Sequence, residues 1–238
     1  MKQQTIAVGR DIRAERQAAA NRFRKEMTER GTLIVRLISS PGSGKTTLLE
    51  KTAEALRDTC RVGILVGDVE TDRDARRLAP HAPSCQITTG GACHLELSLV
   101  EKTLPQLGEK PFDILFIEDV GNLICPASYD LGEHIRVLAL SVTEGDDKPG
   151  KYPKAFRTSH VVLITKTDLL PYVPFSLDRV REDAWLVQPE LKVVALSALK
   201  ESPSDEGGMG EWLQLLQERR TALFGQDVAT DCRATPNS

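Results

Sequence analysis

Ser39-Ser40-Pro41-Gly42-Ser43-Gly44-Lys45-Thr46 stands between the apolar run Leu33-Ile34-Val35-Arg36-Leu37-Ile38 and a helix-forming stretch that opens at Thr46-Thr47-Leu48-Leu49. The first run is rich in β-branched residues and bounded by turn formers, which predicts a buried strand. A strand, a Gly/Ser loop, Gly-Lys-Thr and a helix in that order make the context a P-loop requires. The loop's backbone N–H groups and the positive end of the helix then face an anion together. Gly42, Ser43, Gly44, Lys45, Thr46 and Thr47 are accordingly candidate phosphate-binding residues. Lys45 would reach the β- and γ-phosphates, and the Thr46 hydroxyl would hold Mg²⁺. Ser39 occupies the position of the usual first glycine. The competing interpretation is a chance Gly/Ser turn.

Working outward, apolar runs recur with helical stretches between them. Strands are predicted at 61–66, 86–89, 112–117, 137–142, 161–165 and 193–196, and helices at 9–30, 46–58, 71–79, 92–107, 177–187 and 211–223. Alternation of this kind defines an α/β fold: a three-layer, mostly parallel sheet with helices on both faces. The chain of 238 residues divides into an N-terminal helix and extension (1–30), a P-loop domain (31–224) and a polar C-terminal tail (225–238) expected to fray.

A P-loop needs acidic groups for its metal. Asp68 follows the second predicted strand and Glu118 follows the 112–117 strand, both at carboxyl ends, where open α/β sheets bind ligands. Glu118 and Gly121 have the spacing of a D-x-x-G element, with the longer carboxylate. Lys45, Asp68 and Glu118 are thus the candidate catalytic set, and Thr46, Asp68 and Glu118 the candidate magnesium ligands. Asp72 and Asp74 are further carboxylates nearby. Helix capping is the alternative role for these acids.

Thr165-Lys166-Thr167-Asp168 follows another strand, where an N-K-x-D element would read a base. The Asp168 carboxylate would accept from the ring N–H and exocyclic amine of guanine, a donor pair that adenine lacks. The Lys166 stem would pack on the purine. Thr165 replaces the expected Asn, which predicts the loss of a tie to the P-loop and weaker guanine binding. Ser197-Ala198-Leu199 has the pattern of a loop closing over the base. The nucleotide indicated is GTP or GDP.

Cys93, His94 and Cys125 form a further constellation. Two thiolates and an imidazole suit Ni²⁺ or Zn²⁺, and a two-fold axis would complete a site that three ligands leave open. The spacing leaves open that these cysteines are small buried hydrophobes. Cys60, Cys85 and Cys232, with His81, His134 and His160, have no ligand-like neighbours. The N-terminal charges, Asp11 and Glu15 among them, read as a solvated helix face.

Composition excludes other classes. Lys and Arg number 31 against 34 Asp and Glu, a net charge of −3, and aromatics are 5%. This disfavours electrostatic nucleic-acid coating and base-stacking platforms. No apolar run is long enough to span a membrane, and the first residues lack the apolar segment of a secretory signal. Five cysteines in no paired pattern point to a reduced, cytoplasmic protein.

Several blocks together resemble the HypB family: 40–48 around the P-loop, Gly67-Asp68-Val69-Glu70-Thr71-Asp72-Arg73-Asp74-Ala75, Gly90-Gly91-Ala92-Cys93-His94-Leu95, Glu118-Asp119-Val120-Gly121-Asn122-Leu123-Ile124-Cys125-Pro126, and Glu144-Gly145-Asp146-Asp147-Lys148-Pro149. The resemblance covers about 9–224. It implies a P-loop GTPase of the signal-recognition/MinD-like (SIMIBI) class that helps insert nickel into [NiFe]-hydrogenase. It further implies a GTP-dependent homodimer with a metal site on Cys93, His94 and Cys125 at the interface, and as partners the hydrogenase large-subunit precursor and other nickel chaperones. Asp119 stands where the family often has Asn, and the N-terminus shows neither the C-x-x-C-G-C motif nor a histidine-rich stretch of some members. Two alternatives remain beside it. One is the sibling GTPase for urease, whose pattern has Cys-Pro-His where this chain has Cys93-His94. The other is a metal-storage or scaffold protein with a weakened nucleotide site.

Overall fold

A computed structural model describes residues 2–68, 73–200 and 208–225. Seven strands form one sheet: β1 (Leu33–Ser39), β2 (Val62–Asp68), β3 (Ser84–Thr88), β4 (Ile114–Glu118), β5 (Ile135–Ser141), β6 (Val161–Thr165) and β7 (Lys192–Ala195). Their order is β3-β2-β4-β1-β5-β6-β7, and every neighbouring pair is parallel. The helices are α1 (Lys2–Glu29), α2 (Lys45–Leu56), α3 (Arg73–Leu78), α4 (Leu97–Thr103), α5 (Lys148–Lys151), α6 (Pro153–Arg157), α7 (Leu177–Val187) and α8 (Gly208–Phe224). Of these, α2 to α7 lie on the crossovers that parallel strands require, while α1 precedes β1 and α8 follows β7.

The two faces of the sheet follow from strand alternation. Leu33, Val35 and Leu37 of β1 pack with Leu48, Leu49 and Ala53 of α2 and Trp212 and Leu216 of α8. On the other face Ile34 meets Phe23 and Met27 of α1 and Val100 of α4, while Ile38 joins Phe156 of α6 and Val180 of α7. All seven residues of β1 are buried, Arg36 and Ser39 among them. Such burial on both faces is the signature of a central parallel strand. The chain leaves β1 for β2 on one side and later crosses to β5 on the other. The loop after β1 therefore sits at the switch point of the sheet, where such folds bind ligands.

The structure redraws two predicted elements. The helix expected over 92–107 begins only at Leu97 and passes at Leu104 into a 3-10 turn that carries Pro105 at its start. Residues 92–96 are held out of the helix: the Thr89 hydroxyl donates to Ala92 O at 2.8 Å, and Leu95 N–H donates to Asp119 Oδ1 at 3.1 Å. The N-terminal helix starts at Lys2, and its body-facing residues are Ala20, Phe23 and Met27, whereas Ile12 is 45% exposed. Asp72, Cys232 and the tail from 226 lie outside the described residues. Among the described residues no helix is long and apolar enough to cross a membrane.

Candidate nucleotide and metal site

The loop after β1, the ends of β2 and β4, and Lys166 line one cleft of about 550 Å³, with Gly42, Lys45, Thr46, Thr47, Asp68, Asp74, Arg77 and Glu118 on its walls. A cavity of this size holds a nucleotide-sized ligand. Lys45, the first residue of α2, is buried and donates from Nζ to Ser39 Oγ at 2.7 Å; Ser43 Oγ donates to the same oxygen at 2.6 Å. The serine at the usual glycine position thus receives the lysine head and fixes the loop.

Thr46 Oγ1 donates to Glu118 Oε1 at 3.1 Å. The other oxygen, Glu118 Oε2, is buried without a hydrogen-bond partner. Burial pushes the Glu118 carboxyl up to about 7, against the opposing pull of the Lys45 charge. A buried carboxylate oxygen without a donor, beside a threonine hydroxyl in a phosphate-shaped cleft, is the donor set a hard dication needs. Asp68 lies at the end of β2 on the same wall.

The base-reading loops are joined to the phosphate loop. Thr165 Oγ1 donates to Ser43 O at 2.6 Å, so the tie expected to vanish without an asparagine amide is made by a hydroxyl instead. The expected loss of the tie is thereby corrected: a threonine at the end of β6 is close enough to reach the loop directly. Lys166, in a left-handed conformation (φ 59°), donates from Nζ to Gly42 O at 2.6 Å. Ser197 Oγ donates to Asp168 Oδ1 at 2.6 Å, which links the Ser197-Ala198-Leu199 loop to the candidate base reader; Leu199 itself is 75% exposed. Arg77, which sequence reasoning passed over, reaches the cleft from α3, held by Glu50 and by Thr47 Oγ1 at 2.8 Å. A basic residue in a short surface helix gives no sequence signal for such a place.

Cys93, His94 and Cys125, 32 residues apart at their extremes, come together with donor atoms all within 4.8 Å of one another. At a tetrahedral angle two metal–sulfur bonds of about 2.3 Å set the sulfurs about 3.8 Å apart, so the triad would close on one ion with a contraction of about 1 Å at most. Gly67 makes this possible. A Cβ there would stand 2.8 Å from the Leu95 side chain, so its absence lets the loop leaving the edge strand β3 cross β2 and reach the loop after β4. Cys93 is exposed and its thiol is held above the usual range, first by hydrogen bonding with Cys125 and then by burial. His94 Nε2 is buried without a partner. Cys60 and His134 take structural roles: Cys60 accepts from Arg220 Nη1 at 3.3 Å, and His134 Nδ1 accepts from Ile34 N–H at 2.9 Å.

The metal loop touches the phosphate loop. Ser39 forms an antiparallel bridge with Asn122, and a Cβ on Gly121 would meet Pro41 Cγ at 2.9 Å and Pro41 N at 3.1 Å. Backbone cannot yield as a flexible side-chain end would. Gly121→Ala is therefore expected to displace the phosphate loop, destabilise the protein by about 1–3 kcal/mol and weaken nucleotide binding about tenfold. Calorimetric nucleotide titration beside thermal unfolding checks both; unaltered affinity would mean that the two loops move independently.

Fold and cleft together define a P-loop nucleotide-binding protein with a second cluster, of two thiols and an imidazole, where the loops after β3 and β4 meet. Comparison with known proteins narrows this. The family described as CobW/HypB/UreG, nucleotide-binding domain, matches residues 33–195. The hydrogenase maturation factor HypB of Escherichia coli K12 is 42% identical over 213 residues, covering 89% of this chain and 72% of its own. The hydrogenase/urease maturation factor HypB of Helicobacter hepaticus is 44% identical over 188 residues, 77% of each chain. Among solved structures, HypB from Helicobacter pylori in complex with nickel superposes with a TM-score of 0.79 at 35% identity, covering 89% of this chain and 98% of that one. The chain belongs to the HypB family of hydrogenase maturation factors. The signal recognition particle receptor FtsY of Elizabethkingia anophelis, at TM-score 0.52, 15% identity and coverage of 83% of this chain and 72% of that one, shares the fold alone.

Proposed function

We propose that this chain is a GTP-hydrolysing metallochaperone that carries Ni²⁺, or Zn²⁺ at the same site, and assists nickel insertion into [NiFe]-hydrogenase. Residues 31–224 form the working unit, and the compartment is the cytoplasm. The observation that carries this is the single loop that runs from Glu118, facing the phosphate cleft, to Cys125, facing Cys93 and His94.

In this proposal Gly42, Ser43, Gly44, Thr46 and Thr47 hold the phosphates, and Lys45 leaves Ser39 to meet the β- and γ-oxygens. Asp168 reads the guanine donor pair, the Lys166 stem lies on the ring, and Ser197, Ala198 and Leu199 close over it. Thr46, Asp68 and Glu118 hold Mg²⁺, which when bound supplies charge that offsets the phosphate oxygens. Glu118 then shifts toward the phosphate and draws its loop with it. Two copies meet when GTP is bound, and Cys93, His94 and Cys125 of the two complete the cargo site between them. Hydrolysis relaxes the loop and releases nickel to the hydrogenase large-subunit precursor or to another chaperone. A coupling of about 1–3 kcal/mol changes metal affinity about 5–150-fold. The likeness to the Helicobacter hepaticus relative favours urease as a second destination. A scaffold with a decayed nucleotide site fits poorly with the hydrogen bonds that Thr165 and Lys166 make to the phosphate loop.

The test is a nickel titration of the protein loaded with a non-hydrolysable GTP analogue, beside the GDP form, followed by thiolate-to-nickel absorption. Tighter binding with the analogue, saturating at one-half or one nickel per chain, is expected. Identical weak curves would overturn the nucleotide control. Because Cys93 holds its proton above the usual range and thiols must lose theirs to bind metal, affinity should also rise with pH from about 6.5 to 8.5. A flat profile would mean that the thiols are not the ligands.

A further inference from the structure

We infer that Tyr129 and Asp119 are positioning residues for His94, and that both are set by one buried guanidinium, Arg36, on the strand that leads into the phosphate loop. This rests on the nickel-site assignment above. Arg36 is fully buried on β1. One edge of its guanidinium holds Asp119: Nε donates to Oδ2 at 2.8 Å, and Nη2 donates to the same oxygen. Asp119 Oδ1, the other oxygen, accepts from Leu95 N–H at 3.1 Å, one residue past His94. From its second edge, Arg36 Nη1 donates to Tyr129 O at 2.5 Å, and Arg136 Nη2 donates to that carbonyl at 2.8 Å. The Tyr129 ring stacks on the His94 imidazole at 4.0 Å between centroids and 12° between planes. Arg16 of α1 lies over the same tyrosine at 5.4 Å.

His94 is therefore gripped twice, through its backbone neighbour and through its ring, and both grips end on Arg36. A metal-ligating imidazole commonly fixes its orientation by a hydrogen bond from its second nitrogen. Here His94 Nε2 is buried without a partner, and ring stacking supplies the orientation instead. Asp119 adds a second function by its place. It follows Glu118 directly, and adjacent residues at a strand end point to opposite sides. Glu118 meets Thr46 in the phosphate cleft while Asp119 meets the backbone of the metal loop. A shift of the Glu118 side chain within the cleft would turn its neighbour Asp119, and through Leu95 N–H Asp119 would move the loop of Cys93 and His94.

The interactions of Arg36 with residue 129 use the backbone carbonyl, so they survive a change of that side chain. Tyr129→Leu should weaken nickel binding about tenfold and alter the nickel absorption spectrum while GTP affinity stays unchanged; Tyr129→Phe, which keeps the ring, should restore both. Asp119→Ala, which removes the acceptor of Leu95 N–H and is checked for folding by thermal unfolding, should bind nickel with the same affinity in the GTP-analogue and GDP forms. Wild-type nickel affinity and spectrum in Tyr129→Leu would overturn the role of the stack, as would a Tyr129→Phe protein as weak as Tyr129→Leu. A full nucleotide dependence in a folded Asp119→Ala protein would overturn the relay. An unaltered protein that shows no nickel–thiolate band, or whose loss on Cys125→Ala is nil, would instead sink the site assignment and this inference with it.

Discussion

Replacing Lys45 by alanine is expected to lower GTP hydrolysis by about 10²–10³-fold, the loss seen when one preorganised charge-stabilising donor is removed from a transition state. The ammonium group sits at the base of the cleft, 2.7 Å from Ser39 Oγ, and among the described residues no other lysine lines that cleft except Lys166, whose Nζ donates to Gly42 O at 2.6 Å. Lys166 therefore cannot take over without releasing the loop. The fold should survive, because alanine is the best helix former and position 45 opens α2. Phosphate release measured under single-turnover conditions decides it, with thermal unfolding as the control. A variant that hydrolyses GTP at an undiminished rate would remove Lys45 from the mechanism. Nickel binding without nucleotide should be the same in both proteins, since Lys45 touches none of Cys93, His94 and Cys125.

What the sequence conveys about this molecule depends on whether the signal is local. The strand before the P-loop is a run rich in β-branched and leucine residues whose burial on both faces is required of any central parallel strand, so β1 and its loop are readable from their own local sequence. The Gly-Lys-Thr step and Asp168 stand out in the sequence for the same reason: the role proposed for each runs through its own backbone or side chain. The metal triad is readable only as three suitable donors, because their proximity depends on a long crossing that Gly67 allows and that no spacing rule describes. Residues 92–96 look helical because helix propensity is counted locally, whereas their conformation is set by Asp119, 24 residues further on. Arg36 gives no warning at all. The run that holds it reads as buried, and only the fold supplies Asp119, Glu133 and the Tyr129 carbonyl that make its burial tolerable. Thr165 misleads in the opposite direction, because a consensus comparison sees the missing amide and not the hydroxyl that reaches Ser43 O.

Glu118→Gln is expected to make the nucleotide-free protein more stable and its nucleotide site useless to magnesium, two effects with one cause. Burial raises the Glu118 carboxyl from 4.5 to about 7 in the folded chain, more than Lys45 and Thr46 offset. A folded-state value above the unfolded one means that the folded chain holds this proton more tightly. The group costs nothing below about pH 4.5, and its penalty grows until it is complete above about pH 7. At about 1.4 kcal/mol per pH unit, the ionised carboxylate costs roughly 3 kcal/mol at pH 8. Glutamine keeps the shape and an oxygen for Thr46 Oγ1 to donate to, and it removes the charge. Its thermal midpoint should therefore exceed that of the unaltered protein at pH 8, with the gap closing at pH 5. In the unaltered protein, magnesium-dependent nucleotide affinity should fall as pH drops below about 7, because the dication must displace the proton; in Glu118→Gln that dependence on magnesium should be absent at every pH. Thermal unfolding at the two pH values, and nucleotide titration with magnesium or with a chelator, measure the two halves separately. An equal stability difference at both pH values would show that the carboxyl is ionised throughout. Undiminished magnesium dependence would move the metal to Asp68 and Thr46 alone. The unpartnered Glu118 Oε2 is the atom at which a cation's charge would offset that cost.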